Sequence, residues 1–189
     1  RSPGDTAVEN ADEGIDTDRS FRTHLLEENV EKLFIQTVRN AAGEGVSGVN
    51  GIGNALDNTI VGNPFDNLLA GREGEDTLRG QLGADSFVFD RELVADNVDH
   101  VVDFNTNAAD EGDMLMMRQS IFAGVVKGTL AESAFVTGTE AMDADDRFIF
   151  DTVSGQLWFD EDGVGGADQN LIATFGQGAI ISASDIEIF

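Results

Sequence analysis

GNALDNTIV, GNPFDNLLA, GREGEDTLR and GQLGADSFV follow one another without a break over residues 53–61, 62–70, 71–79 and 80–88. Each block opens on glycine. The sixth place holds Asn58, Asn67, Asp76 and Asp85, and the eighth holds Ile60, Leu69, Leu78 and Phe87. Three positions that recur four times at a period of nine mark a repeat architecture, because a unit this small cannot bury its apolar residue alone and must stack on its neighbours. Six residues of turn followed by three of strand send one apolar side chain inward per unit. Two units then complete one coil of a flattened solenoid, and residues eighteen apart stack on the same edge, Asn58 over Asp76 and Asn67 over Asp85.

The turns point to a ligand. Glycine permits a positive φ and lets backbone carbonyls face a common centre, and asparagine at the second place, Asn54 and Asn63, also tolerates that region. Carboxylate and carbonyl oxygens converging from two stacked turns form a cage of hard oxygens, which suits Ca2+ better than Mg2+ with its stricter octahedral geometry. The candidate ligand positions are the second and fourth places (Asn54, Leu56, Asn63, Phe65, Arg72, Gly74, Gln81, Gly83) and the sixth (Asn58, Asn67, Asp76, Asp85). Asp99 and Asp103, with Asp113, stand where carboxylates would cap the last turn; the same charges along a strand edge would also discourage pairing with another sheet. A competing reading needs no metal, since Asn and Asp side chains can satisfy turn amides themselves.

Composition agrees with a cation-dependent fold. The chain has 189 residues, with 36 acidic against 11 basic side chains and a formal charge of -25. Such a polyanion repels nucleic acid and anionic membranes, and repels itself when compact. With 22 glycines, 2 prolines and 41% hydrophobic residues it is too apolar for a disordered acidic tail and too rich in glycine for a helical bundle. There is no cysteine, so neither disulfides nor thiolate metal sites hold the fold. No apolar run is long enough for a membrane span, and no signal-peptide pattern opens the sequence.

Outside the repeats, residues 24–38 have apolar spacing that allows two short strands around Glu27, Glu28 and Asn29. Downstream, DHVVDF (99–104), RFIFD (147–151), QLWFD (156–160), LIATF (171–175) and DIEIF (185–189) alternate like strands and are separated by turn formers. At most a short helical turn is expected near 116–123. These readings divide the chain into an acidic lead-in with a degenerate repeat segment (1–42), a roll (43–90) and a C-terminal antiparallel β cap (91–189).

The four blocks resemble the nonapeptide G-G-x-G-x-D-x-U-x of RTX, or haemolysin-type calcium-binding, proteins. GADSFVFD followed by VDHVVDFNTNAADEGDMLMM is similar to the junction of β-roll and cap in serralysin-type C-terminal domains and in the R-modules of mannuronan epimerases. The resemblance implies an all-β fold: a right-handed parallel β-roll with an irregular N-terminal β extension and an antiparallel β-sandwich-like cap. It also implies bound calcium, a secreted bacterial protein, and a C-terminal signal read by a type I secretion apparatus, to which SDIEIF at the end is similar. The departures are Arg72 and Gln81 at the second place, Leu56 and Phe65 at the fourth, and asparagine instead of aspartate at 58 and 67, which removes charge and predicts few ions.

Other motifs carry less. GEGVSG (43–48) fits G-x-G-x-x-G but precedes no helix. DEDGVGGAD (160–168) is acidic like a calcium loop, yet its glycine comes too early for an EF-hand, which favours a solvated hairpin turn. His24 and His100 are isolated in sequence, and neither H-E-x-x-H nor G-x-S-x-G occurs. The expected function is a non-catalytic calcium-binding domain of a secreted protein that folds outside the cell; the alternative is a calcium-dependent module binding extracellular polysaccharide.

Overall fold

Because each nonapeptide folds as a turn and a short strand, successive strands fall alternately on two sheets. The computed structural model describes residues 14–37, 39–43, 45, 48–105 and 112–189. In chain order the first ten strands are β1 (Thr17–Ser20), β2 (His24–Leu25), β3 (Lys32–Ile35), β4 (Gly51–Ile52), β5 (Thr59–Val61), β6 (Leu68–Ala70), β7 (Thr77–Arg79), β8 (Ser86–Phe89), β9 (Asp99–Val101) and β10 (Met114–Met117). Odd-numbered strands line up as β1-β3-β5-β7-β9 in one sheet, and even-numbered strands as β10-β8-β6-β4-β2 in the other. All these pairings are parallel. Within the repeats the register offset is eighteen, with Ile60 beside Leu78 and Leu69 beside Phe87. This is a parallel β-roll.

Its core follows from the eighth-place residues. Ile60, Leu69, Leu78 and Phe87 are completely buried, as are Leu33, Val101 and Leu115 at the equivalent places of flanking coils. Burying one such side chain stabilises the fold by about 2 kcal/mol, and in a roll that gain exists only when both neighbouring coils are in place. The parallel ladder extends beyond 43–90 on both sides, from β1 to β10. Residues 24–38 supply the two expected strands, β2 and β3, and Asn29 in the turn between them has a φ of 63°.

The remaining strands are β11 (Gly128–Thr129), β12 (Phe135–Thr137), β13 (Phe148–Asp151), β14 (Gln156–Phe159), β15 (Asn170–Phe175) and β16 (Ile186–Ile188). They extend the roll's own two sheets. β15 adds parallel to β9, and β16 adds parallel to β10. Among the named strands antiparallel pairing joins β13 with β14, β14 with β15 and β11 with β16, while β12 and β13 are parallel. The expected antiparallel cap is therefore a mixed one. The physical reason is that β9 and β10 leave parallel-oriented edges with unpaired backbone groups, and the cap strands satisfy them in register. Met116 lies within β10, and the turn expected near it begins at Arg118, whose carbonyl accepts the amides of Ile121 and Phe122.

Roll and cap share one apolar interior. Phe87 packs on Phe104, Phe104 edge-on against Phe175, and Phe175 edge-on against Phe150, with centroids 6.1, 5.6 and 5.9 Å apart. Among the described residues no helix is long and apolar enough to cross a membrane.

Candidate metal centre

The sixth-place side chains form two ladders, one on each edge of the roll. On the first, the Asn58 amide donates to Asp76 Oδ1 (2.7 Å), and the Asp76 amide donates to Asp99 Oδ1 (3.2 Å). On the second, the Asn67 amide donates to Asp85 Oδ1 (2.8 Å), and the Asp85 amide donates to Asp113 Oδ1 (2.9 Å). Asp113 Oδ2 also accepts the amide of Asn105, at 2.8 Å. All six ladder side chains are buried. In each case the side chain reaches from its own coil to the backbone of the coil before it, so one oxygen serves stacking and leaves a second group, which in Asp113 accepts the Asn105 amide.

What becomes of the second group divides the ladders into halves. In the upper half it is an amide nitrogen. Asn54 Nδ2 donates to the carbonyls of Glu27 (2.7 Å) and Val30 (2.8 Å), and Asn58 Nδ2 donates to Val30 O (3.2 Å). On the other edge Asn67 Nδ2 donates to Val49 O (2.6 Å) and Asn63 Nδ2 to Gln36 O (3.3 Å). Carboxamides thus occupy the place between coils, and their N–H groups satisfy the carbonyls that converge there. The Asn58 and Asn67 Oδ1 atoms accept the amides of Asn54 and Asn63, so these two asparagines close their turns within the protein.

In the lower half the second group is another carboxylate oxygen, which cannot donate. Asp76 Oδ2 is a buried atom with no hydrogen-bond partner. It lies under Gly71, where an added Cβ would come within 2.0 Å of it, and Asp85 Oδ2 lies under Gly80 in the same way, at 2.2 Å. Any side chain at either glycine would fill the cradle. Burial raises the pKa of Asp85 to about 7, despite the Asn67 amide, and that of Asp113 to about 6, with repulsion from neighbouring carboxylates adding in both cases. Asp76 and Asp99 are both raised, first by burial; the charges of Asp57 and Glu73 add to the rise at Asp76, and the charge of Asp76 adds to that at Asp99. Buried, like-charged and supplied with hard oxygens, these groups fit a divalent cation of the calcium type.

The turn backbone differs between the halves too. Arg72 and Gln81 have φ of 84° and 80°, followed by Gly74 and Gly83 at 109° and 107°. Asn54 and Asn63 do not share this left-handed conformation, contrary to expectation. Their Oδ1 atoms instead accept the amides of Leu56 (2.9 Å) and Phe65 (3.1 Å), closing the turn through the side chain, so the backbone need not enter the strained region. Leu56 and Phe65 lie against Gly74 and Gly83 of the coil below. The Gln81 side chain donates to the carbonyl of Gly62.

Asp103 stands apart from both ladders. Its carboxylate accepts the amides of Gly80 (2.9 Å) and Gln81 (3.1 Å) and lies 3.8 Å from the Arg79 guanidinium. The acidic loop 160–168 joins the antiparallel strands β14 and β15, as a hairpin turn should. Asp162 there accepts the Gly166 amide (2.9 Å), a contact that lowers its pKa, and Asp160 accepts the Gly163 amide (2.9 Å). These acids already have donors.

Residues 52–87 match the RTX calcium-binding nonapeptide repeat, in four copies. This segment is an RTX repeat array. RTX repeats bind calcium, and the carboxylate cradles at 71–76 and 80–85 lie within the matched residues. The two coils flanking the array, built on β3 and on β9 and β10, continue the RTX stacking without matching the repeat. No curated protein matches the chain. Sequence spacing alone obscures the lower ladder, because the eighteen-residue offset widens to 23 from Asp76 to Asp99 and 28 from Asp85 to Asp113. A signal was nonetheless there: Val101 and Leu115 follow Asp99 and Asp113 by two places, as Leu78 follows Asp76. A cluster of Asp18, His24 and Glu27 at the first coil gave no such signal.

Proposed function

We propose that Asp76 with Asp99, and Asp85 with Asp113, hold calcium between the last coils of the roll, and that the chain is a non-catalytic domain of a secreted bacterial protein that folds on meeting calcium outside the cell. The observation that carries this reading is the change from asparagine to aspartate down each ladder. Where a carboxamide stands, the protein supplies its own donors; where Asp76 stands, a buried carboxylate oxygen is left without one. Calcium supplies the positive charge and flexible oxygen coordination that this half of the roll lacks. Asn54, Asn58, Asn63 and Asn67 then act as donor substitutes for an ion, and the ion count is small.

The test compares calcium affinity by isothermal titration in three variants. Asp76→Ala and Asp85→Ala are expected each to weaken binding by tenfold or more, while Asp162→Ala leaves it within about twofold, since Asp162 is exposed and bonded to its own loop. Equal losses in all three would place the principal site outside the ladders.

The export part of the reading sets a condition on the order of events. Ile186 and Ile188 are buried, β16 pairs with β10, and the Phe189 amide donates to Met117 O (3.0 Å). On this reading a signal at 185–189 would be legible only in the unfolded chain, with export preceding folding. Deleting residues 184–189 is expected to abolish secretion from a host with a matching type I apparatus. Undiminished export of the deleted chain would refute the assignment.

A further inference from the structure

The first coil carries a second cluster of ligating side chains, chemically unlike the oxygen cradles. Asp18, His24 and Glu27 each bring one ligand atom within 4.8 Å of the others. We propose that these three residues form a binding site for a first-row divalent transition ion such as Zn2+, independent of the calcium sites of the repeats.

His24 Nε2 lies 2.9 Å from Asp18 Oδ2 and 3.8 Å from Glu27 Oε2. Donors about 2.0 to 2.1 Å from a tetrahedral ion stand roughly 3.3 Å from one another, which these two separations bracket. The Asp18 contact, though short, lies off the direction of a ring N–H, so Nε2 is left without a hydrogen-bond partner, and the Glu27 Oε2 atom is unpartnered as well. Both atoms are inaccessible to solvent, while the residues themselves are only half-buried. One imidazole with two carboxylates is a borderline donor set. It selects a transition ion over calcium, which takes oxygen ligands.

The surrounding fold holds the three groups in place. Asp18 Oδ1 accepts the Arg19 amide (2.7 Å), which directs Oδ2 to the histidine. Glu27 sits in the turn between β2 and β3, whose carbonyls at Glu27 and Val30 are held by Asn54 Nδ2. Asp18 belongs to β1 and His24 to β2, the outermost strands of the two sheets among the described residues. An ion bound here ties the edge of one sheet to the edge of the other, where fewest neighbouring coils support the chain.

The experiment titrates Zn2+ into the untagged chain saturated with calcium, following heat by calorimetry and amide exchange by mass spectrometry. One equivalent is expected to bind, with slower exchange in 17–35. His24→Ala is expected to weaken binding at least tenfold, and the isosteric Asp18→Asn and Glu27→Gln to weaken it severalfold, with calcium isotherms unchanged in all three. Failure to bind, equal affinity in His24→Ala and the parent, or release of calcium in proportion to the Zn2+ added would each overturn the proposal. Should His24→Ala unfold the first coil, the two isosteric variants decide the matter alone.

Discussion

Stripping calcium with EDTA will remove more than half of the β-sheet circular dichroism of this chain, and millimolar calcium, but not magnesium, will restore it. Four buried aspartates occupy the lower halves of the two ladders, and the Arg79 guanidinium is half exposed and turned to Asp103. Residues 53–90 carry seven acidic side chains and two arginines, Arg72 and Arg79, and the arginines just beyond, Arg91 and Arg118, pair with Glu73 and Asp90 rather than with the ladders. Two unit charges about 4 Å apart repel by roughly 4 kcal/mol at an effective dielectric of 20, and a whole domain has only about 5 to 15 kcal/mol of net stability. Two such pairs are enough to open the lower coils. The cradles do not exist in the unfolded chain, so binding free energy is folding free energy. The loss will reach the cap. Ala173 in β15 pairs with Asp99, and Trp158 in β14 pairs with Leu171, so Trp158 emission should change with the same calcium midpoint as the circular dichroism. A full β spectrum in EDTA that calcium leaves unaltered would sink this account.

Acidification of the calcium-free chain is expected to do part of what calcium does. The ladder aspartates have folded-state pKa values raised above an unfolded value near 3.8, to about 7 for Asp85 and about 6 for Asp113. A carboxyl raised in this sense favours the folded state fully below pH 4, where it is protonated in both states. That contribution is lost as pH rises through 6 to 7, where only the folded state still binds the proton. Without calcium, structure should therefore increase from pH 8 to pH 5, by a few kcal/mol over the set at most. With calcium saturating the sites the sign reverses, because protons compete for the same oxygens, and apparent calcium affinity falls as pH drops. Circular dichroism across pH 4 to 8, with and without calcium, reads both slopes. An apo chain that loses structure on going from pH 8 to 5 would show that burial of these four groups does not govern its stability.

Most of the roll was legible in the chain itself. A glycine, a ladder residue and an apolar residue at fixed places in nine leave little freedom. The period sets strand length, the eighth place sets the buried face, and the sixth sets what lines the edge. Ile60, Leu69, Leu78 and Phe87 are buried for the reason their spacing gave. So were Asn58 over Asp76 and Asn67 over Asp85 legible, since a solenoid of two units per coil brings residues eighteen apart together whatever else the chain does.

Tertiary structure decided the rest, because it depends on groups brought together across unequal lengths of chain. Asp99 and Asp113 join the ladders over insertions that no fixed period anticipates, and Asp103, close to Asp99 in sequence, is drawn instead to the amides of Gly80 and Gln81. The cap's mixed pairing follows from the orientation of the edges that β9 and β10 present, which is a property of the finished roll. Likewise the role of each asparagine rests on where its Nδ2 points. Composition reads Asn58 as a weaker aspartate, whereas the fold aims its amide at Val30 O and makes it a donor in place of an ion. His24 is isolated in the sequence and meets Asp18 and Glu27 only when β1 and β2, at the edges of opposite sheets, are brought side by side.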